Sequence, residues 1–196
     1  MIGMPSARNS SNRKRNLPPP PYRLLVVSRG SGLKKIGAKA LMEYFNPIIG
    51  KKAHVLLQKK VTLAEEEKHV LEQAKLLEKK QLVKIFLFVG GKVAGVSEIR
   101  RSALPSEAHN AVFSIAVSPK WQGRGFGELL LRRAISEAKE RFSPKRMWLD
   151  RYSGNKIAGK LYEKVGFVEV ARLKGYHCHY GKYEDKIFME YCPKPR

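Results

Sequence analysis

The sequence has few cysteines, few acidic residues in its first third and no long apolar run. Two cysteines among 196 residues are too few for a disulfide framework, which indicates a reducing compartment. No apolar stretch approaches the roughly 20 residues that a membrane-spanning helix needs, and the N-terminal residues lack the apolar core of a secretory signal. These features predict a cytoplasmic protein without a membrane partner.

The shortage of acidic residues makes the chain strongly basic. Lys and Arg total 39 against 17 Asp and Glu, which gives a formal net charge of +22. Residues 1–60 contain 13 of the basic residues and a single acid, Glu43, so they carry +12 of that charge. Such a field attracts polyanions and suggests contact with nucleic acid or a ribosome through the N-terminal segment. Solubility is the competing explanation, because no basic run is combined with a stacking aromatic motif.

The chain divides into a short basic start and a longer patterned part. Residues 1–21 are polar and end in four prolines, so we expect a disordered arm followed by a single domain over residues 22–196. Hydrophobic periodicity predicts seven strands, over residues 24–27, 83–89, 93–99, 111–117, 147–149, 167–172 and 187–191. It predicts four helices, over residues 33–45, 62–80, 127–141 and 155–165. This order is typical of an α+β (mixed α/β) sheet of six to seven strands flanked by about four helices.

A glycine-rich segment over residues 122–127 (QGRGFG) lies between a predicted strand and a predicted helix. Its three glycines allow backbone N–H groups to turn toward one point, and the positive end of the following helix faces the same point. The pattern favours a phosphate-binding loop, and a turn without a ligand is the alternative. A P-loop is excluded because no Lys-Ser/Thr pair follows. A dinucleotide fold is disfavoured because the glycines run GxGxG and five residues separate them from the strand.

Two segments together resemble the GNAT superfamily of N-acetyltransferases. Gln122, Gly125 and Gly127 match its Q/R-x-x-G-x-G/A motif, and residues 155–167 (NKIAGKLYEKVGF) resemble its N-x-x-A-x-x-L-Y-x-x-x-G-F motif. The elements from about residue 62 to residue 191 also resemble this family, whereas residues 1–60 show no specific match. In motif spacing the chain is similar to ribosomal-protein alanine and N-terminal protein acetyltransferases. The resemblance implies a mostly antiparallel sheet with a central, splayed parallel pair.

The resemblance also implies acetyl-CoA as co-substrate, bound between the strands over residues 111–117 and 147–149. Backbone groups of the first strand would pair with the pantetheine arm, the glycine-rich segment would hold the pyrophosphate, and Asn155 would contact the cofactor arm. The implied cofactor-binding residues are Ile115, Ala116, Val117, Gln122, Gly123, Arg124, Gly125, Phe126, Gly127 and Asn155.

No metal is expected from the sequence. The one suggestive stretch is His177-Cys178-His179. Alternate residues of a strand point to opposite faces, and no second ligand pair with zinc-like spacing follows.

Acetyl transfer to an amine requires a neutral amine, a stabilised oxyanion and a proton for the leaving thiolate. Tyr162 matches the family tyrosine that acts as general acid, although it also lies on the apolar stripe of its helix. Asp150 lies twelve residues before Tyr162, the spacing of a catalytic glutamate in a similar bacterial ribosomal-protein alanine acetyltransferase. Glu98 is the rival general base, and an ion pair of Asp150 with Arg151 or Lys156 is the structural alternative.

The C-terminal stretch over residues 176–189 looks like the closing hairpin of protein-acetylating family members, with its Y…G-x-x-x-D-x-x-x-M pattern. In those enzymes the hairpin lines the acceptor side, so the resemblance favours a peptide or protein acceptor, at an N-terminus or a lysine. A small amine such as a polyamine or an aminoglycoside is less favoured, because a cationic acceptor prefers an acidic cleft. A non-catalytic module associated with nucleic acid or ribosomes is the third hypothesis.

Overall fold

The computed structural model describes residues 20–192. The predicted N-terminal arm, residues 1–21, lies almost entirely outside these described residues, as do residues 193–196, and the predicted domain boundaries stay a prediction. The strands are β1 (Tyr22–Val27), β2 (Leu82–Val89), β3 (Lys92–Arg101), β4 (Asn110–Val117), β5 (Arg146–Tyr152), β6 (Phe167–His179) and β7 (Lys182–Tyr191). The helices are α1 (Gly30–Ile36), α2 (Ala38–Gly50), α3 (Leu63–Glu78), α4 (Phe126–Phe142) and α5 (Lys156–Val165).

The strands form one seven-stranded sheet in the order β1-β2-β3-β4-β5-β7-β6. Every neighbouring pair is antiparallel except β4 and β5, which run parallel in the middle of the sheet. The parallel ladder holds only three residue pairs, from Asn110↔Arg146 to Val112↔Trp148. The predicted mixed sheet with a central, splayed parallel pair is therefore confirmed.

The sheet lies between two helical layers, each with its own apolar core. One core joins β2–β5 and β7 to α4 and α5, and the fully buried Leu130, Leu131 and Ala134 supply the α4 side of it. The other core joins β1, β2 and β3 to α1–α3 around Leu33 and Phe86. Strand side chains alternate between the two faces, so neighbouring residues of a strand serve different layers.

Two helix predictions need correction. The helix expected over residues 33–45 is two helices, because Gly37 adopts a left-handed φ of +85° and separates α1 from α2. α2 also continues through Pro47 to Gly50, beyond the predicted end at residue 45. The described residues consequently contain five helices rather than about four. The capping box at Thr62 and Glu65 is confirmed, with the Thr62 amide donating to the Glu65 carboxylate over 2.7 Å.

The closing strands are longer than predicted. β6 continues to His179 and β7 starts at Lys182, so the two form a hairpin that turns at Tyr180 and Gly181. β6 is an edge strand, and its residues 168–176 are all exposed. An exposed edge lacks the alternation of buried and polar residues from which a strand is predicted. Within the described chain, no helix has both the length and the apolar character to span a bilayer.

The contact between α1 and α3 leaves no room for a side chain at Gly30. A Cβ at this position would lie 2.9 Å from both the Cβ and the carbonyl oxygen of Ala74. We expect Gly30→Ala to lower the free energy of unfolding by about 1–3 kcal/mol, because the two helices must move apart. Gly50→Ala is the control, since a Cβ there meets only Lys60 Cε at 3.6 Å. It should raise helix propensity and leave stability equal or higher by up to about 1 kcal/mol. Urea unfolding measures both, and equal effects would contradict the packing argument.

Candidate active site

The site begins where β4 and β5 separate. The Ser118 amide donates to Ala94 O on β3 over 2.8 Å, which makes this residue pair a hydrogen-bonded pair of the antiparallel ladder. Because such pairs alternate, the backbone polar groups of Ile115 and Val117 point away from β3, toward β5. The described parallel pairing has already ended at Val112, so this edge faces an open cleft.

Of the three strand residues predicted to bind a cofactor, two lie on this edge and one does not. Ile115 and Val117 direct their backbone groups into the cleft. Ala116 belongs to a ladder pair with Val96, and its carbonyl oxygen also accepts a hydrogen bond from the Tyr44 hydroxyl over 2.7 Å. The cleft is therefore lined by alternate residues of β4.

The glycine-rich segment turns the chain from β4 into α4. Gly123 and Gly125 have φ angles of +73° and +78°, and a Cβ at either position would meet no atom within 4 Å. These two glycines serve backbone conformation at an open surface. Gly127 has another role, because a Cβ there would lie 3.0 Å from Leu161 Cδ2, where α4 packs on α5. Gln122 fixes the start of the turn by donating from Nε2 to Val117 O over 2.9 Å.

The N-terminus of α4 faces the same loop. Its N-cap is Gly125, and within the described chain no side chain caps the first turn. The first amide groups of this 17-residue helix are consequently available to an anion, with the positive end of the helix dipole behind them. Phe126 contributes only its backbone, because its ring is buried in the core and packs edge-on against Tyr22.

A cationic platform lies beside the loop; its Arg124 was among the predicted cofactor-binding residues, whereas Trp121 was not. Lys120 Nζ is 5.1 Å from the centre of the Trp121 ring, and Arg124 Cζ is 5.4 Å from it. The tryptophan holds both positive charges next to the glycine loop through cation–π contacts. A Trp between two basic residues was the available signal.

Asn155 makes a local hydrogen bond at the start of α5. Its Oδ1 accepts a hydrogen bond from the Ala158 amide over 3.2 Å and so caps α5. The structure therefore explains this asparagine by helix capping, and its contact with a cofactor stays a prediction.

Tyr162 lies on α5, in the core between this helix and the sheet. It is 6% exposed, and burial raises its pKa to about 12, with a further raising contribution from the charge of Asp150 and a lowering one from Arg151. The phenol therefore keeps its proton far above neutral pH. A tyrosine in this state can donate a proton but does not act as a base.

The side chains of Asp150 and Ser114 lie on the face of the sheet opposite to the one that packs against α4 and α5. Asp150 shares its face of β5 with Tyr152, whose hydroxyl donates to Val55 O in the segment between α2 and α3. Ser114 is exposed although β4 is a central strand, and the Asp150 side chain is 30% exposed. Solvent therefore reaches the middle of the sheet beside Asp150. Its nearest cation is Lys186 Nζ at 3.6 Å, rather than the expected Arg151 or Lys156.

Glu98 lies in a closed polar cluster. Its two carboxylate oxygens pair with Lys84 Nζ at 2.6 Å and with an Arg100 nitrogen at 2.9 Å, and Lys84 also donates to Gln73 of α3. Burial alone would raise the pKa of Glu98, but these two cations outweigh it and lower the pKa to about 2. Both carboxylate oxygens of Glu98 are therefore already paired, whereas the Asp150 side chain is accessible to solvent.

A group of aromatic side chains surrounds Tyr152, and its members Tyr152 and His54 were missed by the sequence analysis. The Tyr152 ring stacks on His177 with centroids 4.0 Å apart, and His54 stacks on His179 at 4.6 Å. His54 lies in the α2–α3 segment (residues 51–62), and the other two histidines lie on β6. The segment also binds the hairpin through Gln58 Nε2, which donates to Cys178 O over 2.8 Å. These contacts form one wall beside Asp150.

Comparison with known proteins identifies the family of the chain. The model of the acetyltransferase (GNAT) family matches residues 52–167. The [Ribosomal protein bS18]-alanine N-acetyltransferase of Haemophilus influenzae is 44% identical over 66 residues, which are 34% of this chain and 44% of that protein. The L-amino acid N-acetyltransferase AaaT of Escherichia coli is 28% identical over 117 residues, which are 60% of this chain and 72% of AaaT. The chain thus spans about half the length of the bS18-alanine relatives that it matches.

Solved structures share the fold at low sequence identity. The ribosomal-protein-S5-alanine acetyltransferase of Vibrio fischeri has a TM-score of 0.74 and 16% identity, covering 88% of this chain and 93% of that one. The ribosomal-protein-alanine N-acetyltransferase of Brucella melitensis has a TM-score of 0.71 and 20% identity, covering 88% and 99%. These likenesses show the fold alone. Because the family model covers more than half of the 196 residues and includes both motifs, the chain belongs to the acetyltransferase (GNAT) family.

Proposed function

We propose that the protein is an acetyl-CoA-dependent N-acetyltransferase that acts on a peptide or protein amine. The observation that carries the proposal is the free edge of β4, which continues through a short turn into a glycine-rich loop at the uncapped N-terminus of α4. An extended chain ending in a pyrophosphate matches both parts, since the edge offers backbone hydrogen bonds and the loop offers amide donors.

The pantetheine arm would pair with the backbone of Ile115 and Val117. The pyrophosphate would lie on the amide groups of residues 123–127, with Lys120 and Arg124 as charged partners. Gln122 would act indirectly, because its amide is engaged with Val117 O and holds the turn in place.

The two catalytic side chains belong to different layers. Tyr162 comes from the α5 layer, and Asp150 comes from the face that carries the α2–α3 segment. The amine nitrogen attacks the thioester carbonyl, so a C–N bond forms and the C–S bond breaks. Asp150 accepts the proton that the amine loses, directly or through water, and Tyr162 gives its proton to the departing sulfur. Glu98 is the poorer base, because a carboxylate with a pKa of about 2 gains little by accepting a proton.

A protein N-terminus is the preferred acceptor. An α-amine has an ordinary pKa of about 8 and a lysine amine about 10.4, so the α-amine is more often neutral at physiological pH and requires less from its base. The names of the bS18-alanine relatives support the same class. A free amino acid is the second candidate, because AaaT matches over 72% of its length. A cytoplasmic location is part of the same proposal.

Contact with nucleic acid or a ribosome is a separate part of the proposal. It is supported by the +12 charge of residues 1–60, of which residues 1–19 lie outside the described part of the chain. Such a contact would bring a ribosomal acceptor near the cleft, and its affinity would fall steeply with salt.

Cofactor binding is tested by placing a negative charge in the loop. We expect isothermal titration to show acetyl-CoA binding to the wild type and a Kd about 100-fold higher or more for Gly125→Glu, because like charges brought together cost several kcal/mol. Gly91→Glu is the matched control, since Gly91 also has an open position and a φ of +75° but lies in the β2–β3 turn. Equal loss in both variants would point to backbone strain and contradict the assignment of the loop.

The general acid is tested through kcat and its pH dependence. We expect Tyr162→Phe to lower kcat by roughly 10²–10⁴-fold while the Kd for acetyl-CoA stays within about threefold. The raised pKa keeps the phenol protonated through pH 11, so the wild-type rate should show no Tyr162-dependent decline near pH 10, where an ordinary tyrosine ionises. An alkaline decline near pH 10 that disappears in Tyr162→Phe would contradict the raised pKa, and an unchanged kcat in Tyr162→Phe would contradict the role as general acid.

The acceptor is tested by incubating the protein with radiolabelled acetyl-CoA and extracted ribosomal proteins. We expect discrete proteins to be labelled at their N-termini, which Edman blockage and mass spectrometry locate. Asp150→Asn should lower labelling by roughly 10²-fold or more, and Asp150→Glu, which keeps a carboxylate, should retain most of it.

Three outcomes would contradict parts of this proposal. Label only on free amino acids would replace the protein acceptor by the second candidate. Full labelling by Asp150→Asn would remove Asp150 as base. Acetyl-CoA binding without any labelled acceptor would show that the protein binds the cofactor but does not transfer the acetyl group.

A further inference from the structure

Three metal-ligating side chains from distant parts of the chain meet beside the hairpin. They are His54 of the α2–α3 segment, His179 at the end of β6 and Glu184 of β7, and their ligand atoms all lie within 4.8 Å of one another. Glu184 Oε1 is 3.0 Å from His54 Nε2 and 3.6 Å from His179 Nδ1. Ligands bound at 2.0–2.1 Å in a tetrahedral site are about 3.3 Å apart, so both separations suit a shared ion.

The hydrogen bond of His179 to the backbone determines where its lone pair lies. His179 Nε2 is 3.1 Å from Ala53 O, and a carbonyl oxygen only accepts, so Nε2 carries the proton. In the neutral ring, Nδ1 then presents a lone pair to the Glu184 carboxylate. Two acceptors facing each other repel unless a cation lies between them. A histidine that donates its other N–H to a backbone carbonyl is the arrangement found around bound metals.

Glu184 is oriented by the second oxygen of its carboxylate. Oε2 accepts a hydrogen bond from the Gly154 amide over 2.7 Å, which leaves Oε1 turned toward the two histidines. A Cβ at position 154 would collide with this carboxylate, so the glycine provides the space that the side chain needs. Both His179 and Glu184 are thus held in place by the backbone.

We propose that His54, His179 and Glu184 bind one divalent transition-metal ion, with zinc as the best match to two imidazoles and a carboxylate. The ion would tie the α2–α3 segment to the β6–β7 hairpin, which form one wall beside Asp150. Imidazole ligands favour this class of ion over magnesium or calcium.

Binding requires one ring to turn. The rings of His54 and His179 lie 4.6 Å apart with 21° between their planes, and a metal must lie near the plane of each ring that binds it. His54 is the ring that turns, because its side chain is 25% exposed, whereas His179 is 9% exposed and fixed by Ala53 O. The proposal does not depend on acetyl transfer.

The test is a zinc titration of the full-length, untagged protein after removal of metals with EDTA and dialysis. We expect isothermal titration with ZnCl₂ to show one equivalent per chain in the wild type. Cobalt(II) should produce visible absorption bands of a tetrahedral or five-coordinate site. Glu184→Gln and His54→Ala should each raise the Kd by about 100-fold or more, since loss of an outer-shell partner alone costs 10–100-fold.

Two controls distinguish this site from adventitious binding. His109→Ala removes an exposed histidine elsewhere, and Cys178→Ser removes the thiol next to His179. Both should keep the wild-type affinity. His54→Gln is a second ligand deletion that retains a polar side chain, and circular dichroism checks that each variant is folded.

The outcomes separate an ion from a hydrogen-bonded cluster. One equivalent bound by the wild type and the two controls but lost in the ligand variants supports the site. The absence of saturable zinc binding by the wild type would show that Glu184 holds His54 and His179 by hydrogen bonds alone. Unchanged affinity in Glu184→Gln, or loss in Cys178→Ser, would also overturn the proposal.

Discussion

The separation of β4 from β5 creates the cleft on which the open backbone edge of β4 and the exposure of Asp150 both depend. Three residue pairs hold the two strands together, and beyond Val112 each strand follows a different neighbour: β4 stays with β3, and β5 continues along β7. A backbone edge inside a sheet is costly unless something else satisfies its hydrogen-bonding groups. The open edge at Ile115 and Val117 is thus both a local defect of the sheet and a place where a linear ligand can complete it.

The same separation determines which carboxylate is accessible. Glu98 lies on β3, where the sheet is continuous, so α3 covers it and Lys84 and Arg100 neutralise it. Removing one member of such a buried pair would leave an uncompensated charge, which explains why the cluster is complete. Asp150 lies on β5 just past the last parallel pair, where β4 is no longer paired with it. Two carboxylates that look equivalent in the sequence therefore differ because one lies beside the gap.

The elements proposed to bind the cofactor have a sequence signature because they are built from the backbone. Gly123 and Gly125 are required by left-handed φ angles, Gly127 by the packing of α4 on α5, and the helix terminus by the chain order strand, loop, helix. Each of these structural requirements selects a particular residue type at a fixed spacing in the sequence. Two local backbone features were not predicted: the backbone groups of Ala116 face β3 rather than the cleft, and Gly37 divides a helix whose periodicity continues across it.

The wall proposed as the acceptor side follows the opposite rule. Its wall forms because the β6–β7 hairpin meets the α2–α3 segment, more than 100 residues away in the chain, through contacts such as Gln58 to Cys178 and His54 to Glu184. No spacing rule links such residues, because neither lies in a regular pattern and β6 is exposed along most of its length. The glycine spacing is local in the sequence, whereas the contacts of the α2–α3 segment with the hairpin become visible only in the fold.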